Sequence, residues 1–292
     1  MKYRSTSYTI FSIANYLLLG VLSLLCVIPL VHVLAISFSG RGPASANLIT
    51  LWPKEFTFDA YATTFENPNF INALLVSVER TVLGTAISIM IIFLAAYALS
   101  KEDTVFRGRT FYSWLFVFTM LFSGGLVPWY IMVQKLQLIN TIWALVLPYA
   151  VNVFNLVLMM NFFRNVPKDL EEAAFMDGAS HFTTLLRIYL PISLPSIATI
   201  SLFTMVFNWN SWFDGMLFIT DYNRYPLATF LQSIIVQQDY SKSGVDPSQI
   251  ANVAQRTVKS AQIFIGSLPI LLVYPFLQRF FVKGIVLGAI KE

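Results

Sequence analysis

The chain has 292 residues, of which 57% are hydrophobic, 15% aromatic and only 12% charged, with a mean hydropathy of +0.67. Soluble domains carry about a quarter of their residues as charges, so a water-soluble globular protein is excluded. The net charge of +4 gives no support to a nucleic-acid binder, and the single cysteine, Cys26, rules out an intrachain disulfide.

Windows 5–40, 81–100, 110–134, 136–163, 188–213 and 260–278 contain no Asp, Glu, Lys or Arg. A helix needs roughly 18 to 20 residues to cross the hydrocarbon core, and lipid admits only helices or closed barrels because no backbone group can go unbonded there. A barrel would alternate apolar and polar residues in segments of about ten, and this chain does not. The windows therefore predict an all-α polytopic chain, one membrane domain over 1–292, with six spans at about 10–38, 71–100, 110–133, 141–163, 190–213 and 260–282.

In chain order, Lys2 and Arg4 precede a first apolar run too long for a signal-peptide core, so a retained helix is expected, with His32 packed inside it. Loop 39–70 is rich in Gly, Pro, Ser and Asn and reads as irregular. Glu79 and Arg80 lie about two turns into the second span and read as a solvated or self-paired helix end. Gly124, Gly125 and Pro128 interrupt the third span, Pro148 the fourth, and Pro269 with Pro275 bends the sixth. In loop 214–257, Tyr225 to Gln238 is free of charge but too short to span, which suits a surface helix. The short segments that follow the second and fourth spans, together with both termini, carry the larger share of Lys and Arg. By the positive-inside rule both termini are then cytoplasmic.

Two features carry chemistry. Polar groups inside spans are costly and face a bundle interior or a wet cavity. Asn152 and Asn155 lie at i, i+3 in the fourth span, while Asn208, Trp209, Asn210 and Trp212 cluster in the fifth, with Asp214 and Asp221 just beyond. Amides bond sugar hydroxyls and aromatic faces cover pyranose rings, so this composition suits a saccharide path. The competing reading is helix joining by Asn and interfacial anchoring by Trp.

The second feature is loop 164–190, on the inner side between the fourth and fifth spans. Pro167 suits a first helical turn, and Asp169, Glu171 and Glu172 put negative charge at the positive end of the helix dipole. Leu170, Ala173 and Ala174 form a narrow face of one helix, which Gly178 ends in the left-handed conformation. Ser180 caps a second short helix through Ile188, and Pro191 and Pro195 suit the first turns of the fifth span. The product is a rigid two-helix unit lying on the membrane's inner surface.

The spacing Glu-Ala-Ala-x3-Gly-x9-Ile-x-Leu-Pro, from Glu172 to Pro191, resembles without gap or mismatch the EAA loop of bacterial ATP-binding-cassette (ABC) importer permeases. "FSGGLVPWY" at 122–130, "NWNSWFDGM" at 208–216, "YPFLQRFFVKG" at 274–284 and the terminal "GAIK" are similar to the smaller, maltose-importer type of sugar permease, in a subgroup that imports oligosaccharides from complex polysaccharides. The resemblance implies a type I importer fold in a bacterial cytoplasmic (inner) membrane. It implies a coupling helix carrying Glu172, Ala173, Ala174, Asp177 and Gly178 that docks on an ABC ATPase dimer. The remaining partners would be a second permease and an extracytoplasmic solute-binding protein, and transport would proceed by alternating access. ATP and Mg would be held by the ATPase subunits, because the chain has no Walker sequence. The tail Lys283–Glu292 resembles one that reaches the ATPase pair. Pectin-like and alginate-like cargoes are both open.

His32 and His181 are the only histidines, too few and too separated for a metal or nucleophilic centre, so no catalytic residue, metal site or cofactor is expected on this chain. The alternatives are an ion-gradient-driven secondary transporter, which would show inverted repeats and intramembrane acids, and a membrane scaffold that transports nothing.

Overall fold

The computed structural model describes the backbone over residues 6–239 and 248–289 and the side chains over 7–234 and 256–276. Among the described residues the regular structure is entirely helical. Among these residues three helices are long and apolar enough to cross a membrane, and the number reaches six if each of three bent helix pairs is one span.

Helix α1 (Thr6–Ser37) is the first span, and none of its apolar window is buried within the chain. Loop 39–70 is less irregular than its composition suggests, because it holds α2 (Arg41–Ser45) and α3 (Asp59–Glu66). Aromatic packing supplies the order that backbone propensity lacks. The Phe38 ring lies 5.3 Å from Phe56 and 4.8 Å from Tyr61, centroid to centroid. His32 is not simply packed in the span, since its Nδ1 lies 2.6 Å from the Thr50 carbonyl oxygen. The second span, α4 (Pro68–Ser100), is a single helix.

The third span is α5 (Arg109–Leu121) and α6 (Leu126–Lys135), which meet at 115°. Gly125 makes the break with φ +86°, a region that residues with a Cβ avoid. The fourth is α7 (Ile142–Val146), extended by a 3-10 turn over Leu147–Tyr149, followed by α8 (Val153–Arg164) after a 47° bend. Helix α9 (Lys168–Met176) follows within four residues.

Then come α10 (His181–Thr184), a π-helical turn over Leu185–Tyr189 and α11 (Leu190–Ile192), a unit that turns by 79° into α12 (Leu194–Asn210). The second short helix therefore does not stop at Ile188. It runs on to Ile192, and Pro195 takes the first turn of α12, where its missing N–H has no partner to lose. After α13 (Phe213–Phe218), the charge-free stretch forms α14 (Leu227–Asp239). The last helix, α15 (Ser248–Ala289), continues through both Pro269 and Pro275. Membrane helices tolerate such prolines because neighbouring groups satisfy the freed carbonyls. The tail Lys283–Glu292 lies outside the residues whose side chains are described.

The chain divides into two compact units, Met1–Phe70 with Ile234–Leu268, and Ile71–Ser233 with Pro269–Glu292. In the first, Ala35, Ile36, Ala44 and Ile49 form a small core, and Arg256 donates to the Ala44 carbonyl at 2.9 Å. In the second, Phe93, Ala96 and Tyr97 of α4 pack with Leu156, Met159 and Phe163 of α8, with Tyr189 and with Ile200 of α12. This larger core joins the second, fourth and fifth spans directly beside α9.

Candidate functional site

Helix α9 is built by its ends. Pro167 sits one position earlier than expected, at the N-cap with ψ 128°, and Asp169 and Glu171 occupy the first turn. At the far end Gly178 N–H donates to the Phe175 carbonyl at 3.0 Å and Ala179 N–H to Ala174 at 2.9 Å. That pair of bonds is the Schellman arrangement, which needs a left-handed residue at its corner, and Gly178 has φ +79°. Ser180 then starts the next helix, its Oγ accepting from Thr183 N–H at 3.2 Å.

The helix has two faces. Asp169, Glu172, Ala173 and Met176 recur at i, i+3, i+4 and i+7 and are all exposed, Met176 by 87%. Asp177 and Gly178 are exposed beside them, and Ala174 is half-buried. On the opposite face, the Phe175 ring lies 4.8 Å from that of His181, and Glu171 reaches back to the core.

Glu171, expected from the sequence only as a complement to the helix dipole, instead ties α9 to the core. Both its carboxylate oxygens accept from Lys101 Nζ at 2.7 Å. The Tyr189 hydroxyl donates to Glu171 Oε2 at 2.6 Å and accepts from Lys101 Nζ at 3.2 Å. The ammonium also lies 3.8 Å from the Tyr97 ring centroid and 4.4 Å from that of Tyr189, a cation–π geometry. Burial pulls the Lys101 pKa below the ordinary lysine range, against the raising effect of the Glu171 hydrogen bond. Lys168 and Glu102 form a second, fully exposed pair, in which the hydrogen bond from Lys168 holds the Glu102 carboxyl below its usual range.

Arg80 overturns its reading as a solvated or self-paired helix end. Glu79 is exposed, whereas Arg80 and Asp214 form an ion pair with 0% exposure on both sides. Arg80 Nη1 donates to the Ser211 carbonyl at 3.0 Å and to Asp214 Oδ1 at 3.3 Å. Asp214 also accepts from Ser211 Oγ at 2.9 Å and from Gly215 N–H at 3.0 Å. A readable signal existed: Ser77, Thr81, Gly84, Thr85 and Ser88 run along the same face of the helix, the mark of close helix packing.

The six polar and aromatic residues of the expected path do not converge. Asn152 and Asn155 do share an open cavity of about 390 Å³, lined also by Tyr149, Phe154, Phe203 and Phe207. Asn152 caps α8, its Oδ1 accepting from Asn155 N–H at 3.1 Å, and the buried Asn155 side chain donates to Thr204 Oγ1 at 3.3 Å. Asn208 instead packs on the second span, where a Cβ at Gly84 would lie 2.7 Å from its Nδ2. Trp209 lines a separate, apolar pocket with Val82 and Met205. Asn210 bonds back to the Val206 carbonyl at 3.0 Å, and Trp212 is 40% exposed against Phe213. Successive helical residues point about 100° apart, so a cluster in sequence spreads around the helix.

Comparison with known proteins agrees with this architecture. The family profile described as "Binding-protein-dependent transport system inner membrane component" matches residues 88–287. Protein LplC of Bacillus subtilis (strain 168) is 40% identical over 282 residues, covering 97% of this chain and 95% of LplC. The polygalacturonan/rhamnogalacturonan transport system permease protein YtcP of the same strain is 41% identical over 289 residues, covering 97% and 98%. Among solved structures, a chain of a bacterial ABC transporter involved in the import of the acidic polysaccharide alginate superposes with a TM-score of 0.85 at 30% identity. That match covers 96% of this chain and 100% of the other. With two thirds of its length inside the family profile and full-length relatives above 30% identity, the chain belongs to the inner-membrane components of binding-protein-dependent transport systems, the permeases of ABC importers.

Proposed function

We propose that this permease is one of two membrane subunits of an ATP-driven oligosaccharide importer, and that α9 is the helix through which the ATPase pair acts on it. The carrying observation is the two-faced build of α9. One side is tied into the core through Glu171, and the other offers Asp169, Glu172, Ala173 and Met176 to solvent. The small Ala173 permits close approach and Glu172 supplies a carboxylate to a basic groove. ATP closes the partner ATPase subunits, α9 travels with them, and the spans turn from inward-open to outward-open towards a loaded binding protein. ATP and Mg stay on the ATPase, and this subunit is non-catalytic. Both termini lie in the cytoplasm, in keeping with the bias of Lys and Arg.

The cargo is an oligosaccharide derived from an acidic polysaccharide of the pectin or alginate type. This rests on the similarity to YtcP and to the alginate importer chain. The cavity at Asn152 and Asn155 suits its passage, with rings for sugar faces and amides for hydroxyls. The test is uptake of oligogalacturonides and alginate oligomers by the assembled transporter. Glu172→Lys and Gly178→Arg should still insert in the membrane but lose the copurifying ATPase and at least tenfold of uptake, a loss within the usual span of coupling energies. Normal uptake in both variants would remove the docking role of α9.

A further inference from the structure

We infer that Lys101 is the positioning residue that makes a displacement of α9 move the second and fifth spans together. The inference rests on the docking role of α9 proposed above and adds the route by which the stroke leaves that helix.

A push on α9 has two covalent exits, residues 165–167 before it and Gly178–Ala179 after it. Both are short non-helical connections, and hinges of this kind absorb a stroke unless a stiff cross-tie bypasses them. The exposed Lys168–Glu102 pair is a poor tie, because surface ion pairs contribute little and exchange with water. The Lys101 pair differs on each count. Lys101 and Glu171 side chains are 9% and 15% exposed, and charge-assisted bonds of this length are about twice as strong as neutral ones.

The geometry also names what is tied. Lys101 directly follows Ser100, the last residue of α4, so its backbone belongs to the inner end of the second span. Tyr189 ends the π-helical turn that leads into the fifth. The ammonium has three N–H donors, and Glu171 Oε1, Glu171 Oε2 and the Tyr189 hydroxyl are three acceptors for them. The Tyr189 hydroxyl in turn donates a hydrogen bond to Glu171 Oε2 at 2.6 Å, which closes the ring of bonds. Tyr97 of α4 and Tyr189 stand on either element with rings 5.0 Å apart, and the ammonium contacts both. One atom, Lys101 Nζ, therefore joins α9, α4 and the lead into α12.

The experiment uses the complete transporter in lipid vesicles, with Cys26→Ser and spin labels at Leu170→Cys on the flank of α9 and Leu94→Cys on α4. Interlabel distances are read without nucleotide and after trapping with ATP and vanadate, which needs no cargo. With Lys101 present the distribution should be narrow and the same in both states. Lys101→Met and Glu171→Gln should broaden it and shift it between states, while Lys101→Arg stays narrow. ATPase stimulation by binding protein loaded with oligogalacturonide should fall about tenfold in Lys101→Met, inside the range of ordinary allosteric coupling, with the ATPase still copurifying.

Narrow, unshifted distributions in Lys101→Met and Glu171→Gln would overturn the inference. Should Lys101→Met fail to assemble, Glu171→Gln decides: it removes the charge and one of the two acceptors for Lys101 Nζ and keeps the side chain's shape, and unchanged distances there overturn the link. Glu172→Lys separates the two ideas. Loss of ATPase binding in Glu172→Lys with an inert Lys101→Met defeats the link alone. A normal Glu172→Lys beside a broadened Lys101→Met defeats the docking role and leaves the link standing.

Discussion

Arg80 and Asp214 show how much a single residue's environment can depend on a partner far away in sequence, 134 positions in this case. The adjacent Glu79 made self-pairing the local expectation, and local sequence holds no trace of the Asp214 contact except the small and hydroxylated face shared by Ser77, Thr81 and Thr85. A fully buried ion pair is costly to assemble and more costly to break, because the survivor is left charged in a low-dielectric site. Asp214→Ala should therefore destabilise the permease by about 3–5 kcal/mol, read as a lowered thermal midpoint in detergent. Asp214→Asn should cost less, because it keeps acceptors for Ser211 Oγ and Gly215 N–H. At Gly84 the argument is steric. A Cβ there would sit 2.7 Å from Asn208 Nδ2, so Gly84→Val overpacks the α4–α12 contact by about 1–3 kcal/mol, checked on the same melting curve.

At the scale of the element, the two-helix unit was legible because its signals are local. Proline before the helix, acids in its first turn, glycine after it and serine before the next helix each act within four residues. Two of the three bends were legible in place and not in size, while the 79° turn into α12 was not read and the sixth span continues as one helix through Pro269 and Pro275. Gly125 and Pro148 mark the breaks, but 115° at one and 47° at the other are set by packing. The two faces of α9 were not legible, since Glu171 and Glu172 are adjacent and chemically equal. Only the core decides which one turns inward. Lys101 gives that face a pH signature. Burial lowers its pKa from the ordinary 10.5, so raising the pH strips the ammonium before an unfolded lysine would lose its proton. In that window the unfolded chain binds more protons, and folding stability rises with pH for this group. The tie to Glu171, which needs the ammonium, opens over the same window. Binding-protein-stimulated ATPase should thus fall on the alkaline side while the protein stays folded, and Lys101→Arg should hold its activity to higher pH.

At the scale of the whole molecule, the permease leaves large apolar surfaces for lipid and for other subunits. None of the α1 window is buried, and no residue of α5 is buried either. Composition announced the six-span membrane architecture, because continuous apolar runs are a property of whole segments. Cargo was never legible to the same degree, since residues that meet at a cavity come from different spans. That cavity has a property with a consequence for cargo: its lining includes amides, hydroxyls and rings but no charged side chain. If the proposed acidic cargo passes this cavity, the lining is expected to meet its hydroxyls and apolar faces, and its carboxylates to be matched on another subunit. Phe207 is 43% exposed and stands against Tyr149 with centroids 5.2 Å apart, so its ring can be deleted with little effect on the helix that carries it. Phe207→Ala should raise the apparent KM for uptake about five- to tenfold, as expected for losing one aromatic contact of about 1–1.5 kcal/mol. It should do so equally for oligogalacturonides and for neutral galactose oligomers. A change in preference between the two would mean that carboxylate recognition reaches this cavity after all, and the assignment of charge reading to a partner subunit would fall.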